Sequence, residues 1–228
     1  MKLNIITIDG PSASGKGSLS RNLAKYLDFN ILDSGLLYRI YAFLFSISGN
    51  HDEVKEMINE QISFASDEDG IKVLKDTNDI TLDLRTETTA KIASQISALK
   101  ITRNNLLDIQ RNFYSDRGLV ADGRDMGTVV FPEARLKIFL EASAEVRAKR
   151  RYLELQNRGQ EVNMPDLIAD IESRDLKDRT RTISPLIPAE DSIVIDSSNM
   201  SLDEVLSFTK NSQKRNLIND RIICSFTR

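Results

Sequence analysis

The sequence predicts an α/β fold in which a doubly wound parallel sheet of five strands is flanked by helices. Short apolar runs, several of them rich in Ile and Val, recur along the chain and are followed by turns that contain Gly or Asp. Segments with apolar residues at helical spacing follow most of these turns, and this alternation of strand and helix is typical of a parallel sheet. The chain has 228 residues, 40% of them hydrophobic and 29% charged, which suits one globular domain with a small lobe or lid attached.

The predicted strands are the short runs that are apolar throughout, because strands of a parallel sheet are buried on both faces. They lie at 3–8, 31–32, 119–121, 136–140 and 193–195. Apolar residues spaced three and four apart predict the helices that separate them. These helices lie at about 19–27, 36–46, 88–114, 144–156, 165–178 and 202–212.

A different pattern occupies the chain between His51 and Arg85. Apolar and polar residues alternate there, and Asp, Asn and Gly residues separate the alternating runs, which is typical of antiparallel hairpins. We therefore expect a small lobe of three antiparallel strands inserted into the α/β domain. Its strands are predicted at 62–65, 71–74 and 80–84.

Composition excludes several classes of protein. Lys and Arg total 31 against 34 Asp and Glu, so the chain lacks the basic excess of a nucleic-acid-binding protein. A single cysteine, Cys224, excludes an intrachain disulfide, and a single histidine, His51, excludes a metal site built from several histidines. We expect His51 to be a solvated loop residue. Neither an apolar stretch of about 20 residues nor a signal peptide is recognisable, so we expect a cytoplasmic protein without a membrane partner.

The strongest single motif is the pattern G-x-x-x-x-G-K between the first predicted strand and the first predicted helix. Such a loop binds phosphate groups through backbone N–H groups and through the N-terminus of the helix. Its lysine reaches the β- and γ-phosphates, and a nearby hydroxyl group lies beside Mg²⁺. The residues expected to bind ATP here are Gly10, Pro11, Ser12, Ala13, Ser14, Gly15, Lys16, Gly17 and Ser18.

Three features of the sequence resemble one family. The serine that usually follows the lysine directly is displaced by one residue, which is similar to adenylate kinase and its relatives. The block L-D-S-G-L-L-Y-R at 32–39 and the block V-A-D-G-R-D-M-G-T-V-V-F-P at 120–132 resemble segments of bacterial cytidylate kinases. The resemblance covers most of the chain and ends at about residue 212. The chain thus looks like a member of the nucleoside monophosphate kinases, a family of P-loop kinases.

This resemblance implies that the protein transfers the γ-phosphoryl group of ATP to CMP, and to dCMP, in pyrimidine nucleotide metabolism. Mg²⁺ would be the cofactor, and the protein would act as a monomer without nucleic acid. The acceptor is already an anionic oxygen, so catalysis requires positioning and charge neutralisation rather than a strong base. A P-loop kinase for another small acceptor, such as shikimate, and a nucleotide-binding protein without catalysis are the alternatives.

The resemblance also implies an internal division of the single kinase domain of 1–228. The core would comprise 1–50, 115–148 and 182–212, and the insert that binds the nucleoside monophosphate would comprise 51–114. Residues 149–181 would form an arginine-rich lid, and the tail at 213–228 has no assigned role. We expect the strands of the insert and the lid to move when ligands bind.

Roles are carried over to residues that match the family motifs. The catalytic residues would be Lys16, Arg124, Arg174 and Arg179, and Arg150 and Arg151 would join the phosphate loop in binding ATP. The acceptor would be bound by Ser34, Tyr38, Arg39, Ser94, Arg103, Arg124, Asp125, Arg174, Asp178 and Arg181. Mg²⁺ and its water shell would be held by Ser18, Asp33 and Asp122.

Each of these roles has a purely structural alternative. Arg39 and Arg124 could form salt bridges with nearby carboxylates, and Asp33 and Asp122 could cap helices. Asp125 and Arg103 could simply pair with each other. A solvated helix face with ion pairs between successive turns would explain three of the cations near the lid. These are Arg147, Lys149 and Lys177.

Overall fold

The computed structural model describes residues 3–67, 70–157 and 159–213, so nearly all of the predicted tail lies outside it. The chain forms a five-stranded parallel sheet in the order β2-β6-β1-β7-β8 and a three-stranded sheet in the order β3-β4-β5. The larger sheet confirms the predicted fold class. The strands are β1 (Leu3–Asp9), β2 (Asn30–Asp33), β3 (Ile62–Asp67), β4 (Gly70–Lys75), β5 (Asn78–Asp79), β6 (Leu119–Gly123), β7 (Ala134–Glu141) and β8 (Ile193–Asp196).

Helices connect the strands of the larger sheet and make up most of the chain between β2 and β6. They are α1 (Lys16–Leu27), α2 (Ser34–Ser48), α3 (His51–Gln61), α4 (Thr81–Leu84), α5 (Glu87–Ile96), α6 (Lys100–Arg111), α7 (Ala144–Asn157) and α8 (Met164–Thr180). A π-helix occupies Met126–Val130, and residues 202–213 are helical as well. None of the described helices is long and apolar enough to cross a membrane.

The chain separates into two compact units. One comprises Met1–Leu32 and Phe113–Arg228 and contains most of the larger sheet, and the other comprises Asp33–Asn112. In the first unit the aliphatic residues of β1, β6 and β7 pack against α1, as expected for strands that are buried on both faces. In the second unit α2 supplies the centre of the core, where Leu37, Ile40, Tyr41 and Leu44 are fully or almost fully buried.

The register of the larger sheet brings two strand ends together. β1 is parallel to β6 and to β7, with Ile8 opposite Asp122 and Asp9 opposite Gly123. The carboxyl ends of neighbouring parallel strands lie at one edge of a sheet, where α/β proteins bind ligands. The phosphate loop and the block that contains Arg124 therefore begin side by side.

Two expectations about the segment after residue 50 are wrong. The third strand of the small sheet lies at Asn78–Asp79, and the predicted strand at 80–84 is instead the short helix α4. The Asp79 side chain accepts a hydrogen bond from the Thr81 N–H at 2.9 Å, and this local bond turns the chain out of the strand. The helix predicted over 88–114 is divided into α5 and α6 by a turn.

His51 is not the solvated loop residue that we expected. It begins α3 and is half-buried, with its ring stacked on Phe45 at 4.4 Å between centroids. The Tyr41 hydroxyl lies 2.8 Å from its Nδ1 atom, and Asn105 donates to its carbonyl oxygen at 2.8 Å. His51 thus joins α3 to α2 through its ring and to α6 through its carbonyl oxygen, a role that a single residue in a sequence does not reveal.

Candidate active site

The phosphate loop connects β1 to α1, as predicted, and its backbone is shaped for close contact. A Cβ atom on Gly10 would lie 2.1 Å from the Leu140 carbonyl oxygen, so that only glycine fits at the end of β1. Ala13 and Gly15 have positive φ angles of 57° and 94°. Alternation of left-handed and right-handed residues turns successive N–H groups to one side of the chain, which makes a concave site for an anion.

The carbonyl groups of the same loop are bound by cationic side chains. Lys16 Nζ donates to the Pro11 oxygen at 3.0 Å, and Arg150 donates to the Ser14 oxygen at 2.9 Å. Arg147 donates to the Ser12 oxygen at 3.2 Å. With these carbonyl oxygens bonded to the protein, the N–H groups of the loop remain available for phosphate oxygens.

The interpretation of Arg147 as part of a solvated helix face is wrong. Its side chain is only 4% exposed, and it also donates to the Ala142 oxygen at 2.9 Å and forms a two-pronged ion pair with Asp175. Lys149 and Lys177, by contrast, are exposed as that interpretation requires. Arg147 differs because its face of α7 is turned toward the phosphate loop and α8.

Asp122 and Ser18 offer oxygen ligands at the start of α1. The Asp122 Oδ2 atom lies 3.3 Å from the position that a Cβ atom on Gly17 would take, so the carboxylate faces the first turn of the helix. Asp122 is buried inside β6. No group of three or more His, Cys, Asp or Glu side chains is placed to hold a metal ion among the described residues. One carboxylate and one hydroxyl group suit Mg²⁺, which retains several waters and binds substrate phosphates.

Asp33 forms a helix cap, which was the structural alternative to a metal role. Its side chain accepts from the Leu36 N–H at 2.9 Å and so begins α2. A capping bond of this kind uses one carboxylate oxygen and stabilises a helix by about 1 kcal/mol.

A cavity of about 630 Å³ lies beside the phosphate loop, within the size range of small-molecule sites. Ala13, Ser14, Gly15 and Ser18 form one side of it, and Arg150 and Arg151 of α7 form another. Met200 and Leu202, which follow β8, contribute apolar surface. The cavity thus combines a phosphate-binding loop with an apolar surface that suits a nucleobase.

Beyond the end of β6, Arg124 enters a buried cluster of charges with α8. Its Nε atom donates to Asp178 Oδ2 at 3.0 Å, and Arg181 lies 3.6 Å from the other oxygen of the same carboxylate. Burial raises the pKa of Asp178, but the charges of Arg124, Arg181 and Arg174 outweigh it, so the net pKa is lowered. The sequence-predicted residues Arg124, Arg174, Asp178 and Arg181 are therefore neighbours, and the salt bridge that we considered for Arg124 is present.

Asp125 follows directly and is almost completely buried at the start of the π-helix. The Asp9 carboxylate, at the end of β1, accepts from the N–H groups of Met126 and Gly127, each at 2.8 Å. Burial raises the pKa of Asp9 to about 7, with a smaller contribution from Asp125, although the two N–H groups and Lys16 oppose the increase. Asp9 thus anchors the turn that carries Arg124 and Asp125 to the strand that carries the phosphate loop.

Within the unit Asp33–Asn112, the predicted acceptor residues form three local contacts. Arg103 donates to the Tyr38 hydroxyl at 2.9 Å and lies 5.9 Å from the centroid of its ring. Arg39 donates to the Leu84 carbonyl at 2.8 Å. Ser34 is buried and accepts from Gln110 at 2.9 Å, and Ser94 is half-buried on α5.

The remaining predicted residues lie at the surface of the first unit. Arg179 of α8 is exposed and donates to Glu141 at 2.9 Å. Arg151 donates to Glu154 on the same helix, also at 2.9 Å. Exposed pairs of this kind contribute little to stability and can reorganise at little cost when an anion binds.

Sequence reasoning did not identify three residues that bond to the phosphate loop or to its neighbouring segments, namely Arg147, Asp9 and Ser197. Ser197 follows β8, accepts from Arg150 at 3.2 Å and donates to the Glu141 carbonyl at 2.9 Å. One signal could have found Asp9 and Ser197, because both lie where a parallel strand ends, at the edge where ligands bind. Arg147 has no such signal, since its role depends on which face of α7 is buried.

Comparison with known proteins identifies the relatives of this chain. A family model described as cytidylate kinase matches residues 6–214. A cytidylate kinase of Stutzerimonas stutzeri (strain A1501) is 49% identical over 209 residues, which cover 89% of this chain and 91% of that protein. One of Vibrio vulnificus (strain YJ016) is 46% identical over 207 residues, covering 89% and 92%. A solved shikimate kinase from Bacteroides thetaiotaomicron has a TM-score of 0.45 and 12% identity, with 92% of this chain and 98% of that chain covered.

Proposed function

Because the chain belongs to the cytidylate kinase family, we propose that it transfers the γ-phosphoryl group of ATP to CMP or dCMP. A phosphate oxygen of the acceptor attacks the γ-phosphorus, the bond from that phosphorus to the β,γ-bridging oxygen breaks, and ADP and the nucleoside diphosphate are released. The observation that carries the proposal is the family match over 6–214, which includes the phosphate loop and every residue that we assign to the acceptor.

The donor side of the reaction is supported by the phosphate loop and by the cavity beside it. The loop N–H groups and the N-terminus of α1 would bind the phosphates, and the cavity would receive the nucleoside. Lys16, which lies against the Pro11 carbonyl, would exchange that partner for the transferring phosphoryl group. Arg150 and Arg151 line the same cavity and would contribute positive charge.

Mg²⁺ fits the oxygen atoms at the start of α1. Ser18 and Asp122 would hold it, with Asp33 as a third residue through the water shell. When bound, the ion neutralises charge on the β- and γ-phosphates.

The acceptor would be bound by residues that match the family motifs. In the first unit Arg124 would bind the CMP phosphate, Arg174 and Asp178 the sugar, and Asp125 and Arg181 the base. In the second, Tyr38 and Arg39 would bind the phosphate, with Ser34 beside them, and Ser94 and Arg103 would read the base. Arg174 and Arg179 of α8 would close on the transferring phosphoryl group, as part of the lid at 149–181. We also propose that the enzyme acts as a cytoplasmic monomer on free nucleotides.

A coupled assay of ADP release tests the proposal. CMP, dCMP, UMP, AMP and shikimate are supplied in parallel at equal concentration, with ATP and with or without Mg²⁺. We expect CMP and dCMP to stimulate ADP release most, and chelation of Mg²⁺ to abolish it. Stronger stimulation by shikimate or AMP would show that the enzyme prefers an acceptor other than CMP and would contradict the proposal. ADP release independent of any acceptor would contradict it as well.

A further inference from the structure

Arg147 is a buried cation to which the proposed mechanism gives no role. Its guanidinium group contacts three separate segments of the first unit. These contacts are the Ala142 carbonyl at the start of its own helix, the Ser12 carbonyl of the phosphate loop and the Asp175 carboxylate of α8.

Burial of such a group needs a reason. Removal of a guanidinium from water costs several kcal/mol unless its charge and its N–H groups are met by partners, and an apolar side chain would fill the same space at no such cost. The planar fork of arginine can bond in several fixed directions at once, which lysine cannot. The arrangement therefore favours a residue that fixes the relative position of the groups around it.

The fixed group in the loop is a peptide unit. Arg147 and Arg150 lie three residues apart on α7 and so share a face of the helix, and they bind the Ser12 and Ser14 carbonyls respectively. Ala13, the residue between these two carbonyls, has a φ angle of 57°, which a residue other than glycine adopts only when its surroundings hold it there. The two arginines supply such surroundings on the side of the loop that faces α7.

We propose that Arg147 is a positioning residue that fixes the Ser12 peptide of the phosphate loop relative to α8 and so keeps the loop preorganised for the phosphates of ATP. α8 carries Arg174, Asp178 and Arg179, so a displacement of this helix is transmitted to the loop through Asp175. Preorganised N–H groups bind an anion without first having to be ordered. The inference rests on the proposed function only in taking ATP as the ligand of the loop.

The test compares Arg147→Met with Lys137→Met. Lys137 is also a buried cation, and it pairs with Asp191 at 2.8 Å, so its removal should also destabilise the fold. For both variants, hydrogen exchange of the loop at 10–18 is measured without nucleotide, and ATP affinity is measured by titration without an acceptor. We expect Arg147→Met to accelerate exchange in the loop and to weaken ATP binding about ten- to a hundredfold. KM for ATP should rise with it while KM for CMP stays unchanged, and Lys137→Met should leave exchange in the loop and ATP binding unchanged.

A folded Arg147→Met protein with wild-type exchange in the loop and wild-type ATP affinity would overturn the proposal. So would an equal loss of ATP affinity in Lys137→Met, since the effect would then follow from general destabilisation. If Arg147→Met does not fold, Asp175→Asn decides, because it preserves size but removes the charge that orients the guanidinium. Faster exchange and weaker ATP binding in Asp175→Asn support the proposal, and wild-type values contradict it. Failure of the wild-type protein to phosphorylate CMP would refute the proposed function alone, since the exchange and ATP-binding measurements require no acceptor.

Discussion

Two turns follow neighbouring strands of one sheet, and they differ in which backbone groups are bonded within the protein. After β1, the phosphate loop has its Pro11, Ser12 and Ser14 carbonyls bound by cationic side chains. After β6, two N–H groups of the turn that begins at Arg124 are bound by the Asp9 carboxylate. We therefore propose that the first turn offers backbone N–H groups to a ligand, and that the second, whose N–H groups are bonded internally, recognises its ligand through side chains.

This difference follows from what each turn would have to recognise. Phosphate groups are alike in every nucleotide, and a ring of backbone N–H groups binds them without regard to the base. A nucleobase is distinguished by its pattern of donors and acceptors, which requires side chains held in fixed positions. Asp9 belongs to both turns, because it ends β1 and anchors the residues after Asp125. Three predictions test the first turn, the link between the turns and the second turn separately.

The largest effect should come from Lys16→Met, which removes charge from the first turn. We expect kcat to fall about a hundred- to a thousandfold, because the variant loses the group that we propose to stabilise the transferring phosphoryl group. The methionine keeps the buried stem, and loss of the bond to Pro11 should cost about 1 kcal/mol of stability. Steady-state kinetics with CMP measure the effect, and Lys25→Met, on the exposed side of the same helix, is the control. A folded Lys16→Met enzyme with kcat near that of Lys25→Met would contradict the role of Lys16.

The next effect concerns stability and tests the link between the two turns. The pKa of Asp9 is raised to about 7 in the folded protein from a value of 3.8 in the absence of burial. Between these pH values the folded state retains a proton that the unfolded chain has lost, so the contribution of Asp9 to stability falls as pH rises from about 4 to about 7. Asp9→Asn cannot titrate and should lack this decline.

Urea unfolding of both proteins at several pH values from 4 to 8 measures this contribution. The difference in free energy of unfolding, wild type minus Asp9→Asn, isolates Asp9 because the other titrating groups are common to both proteins. We expect this difference to decrease between pH 4 and 7 and then to level off. A difference that is constant with pH would show that the carboxyl group titrates alike in the folded and unfolded protein.

The two turns also differ in how much of them the sequence reveals. Gly10, Gly15 and Lys16 occur at a spacing that only a phosphate loop requires, so local chemistry predicts the first turn before any tertiary contact is known. The strands that precede both turns are predictable as well, because they are apolar throughout. The π-helix after Asp125 is not, because it depends on bonds to Asp9, which is more than 100 residues away in the chain.

Arg147 and the segment after Lys75 are two further features that depend on tertiary contacts and could not be predicted from the sequence. On the sequence, Arg147 resembles any cation of an exposed helix, and only the packing of α7 distinguishes it from Lys149. Alternating apolar residues predicted a strand at 80–84, but the hydrogen bond from Thr81 to Asp79 and the burial of Leu84 favour a helix instead. The secondary structure of a short segment depends more on its tertiary contacts than on the intrinsic propensity of its residues.

The smallest effect, and the most specific, should come from the second turn. Cytosine presents an amino donor beside two acceptors, whereas uracil presents an acceptor at the position of that amino group. We propose that the buried Asp125 carboxylate accepts from the cytosine amine, so uracil would place an acceptor against it. Asp125→Ala should therefore lower kcat/KM for CMP more than for UMP and reduce their ratio about tenfold.

Asp125→Asn should move the ratio in the same direction, because its amide group can donate to the uracil oxygen. Loss of Asp125 also alters the surroundings of Asp9, but that change is common to both substrates and cancels in the ratio. Equal losses for CMP and UMP in both variants would show that Asp125 supports the turn without reading the base.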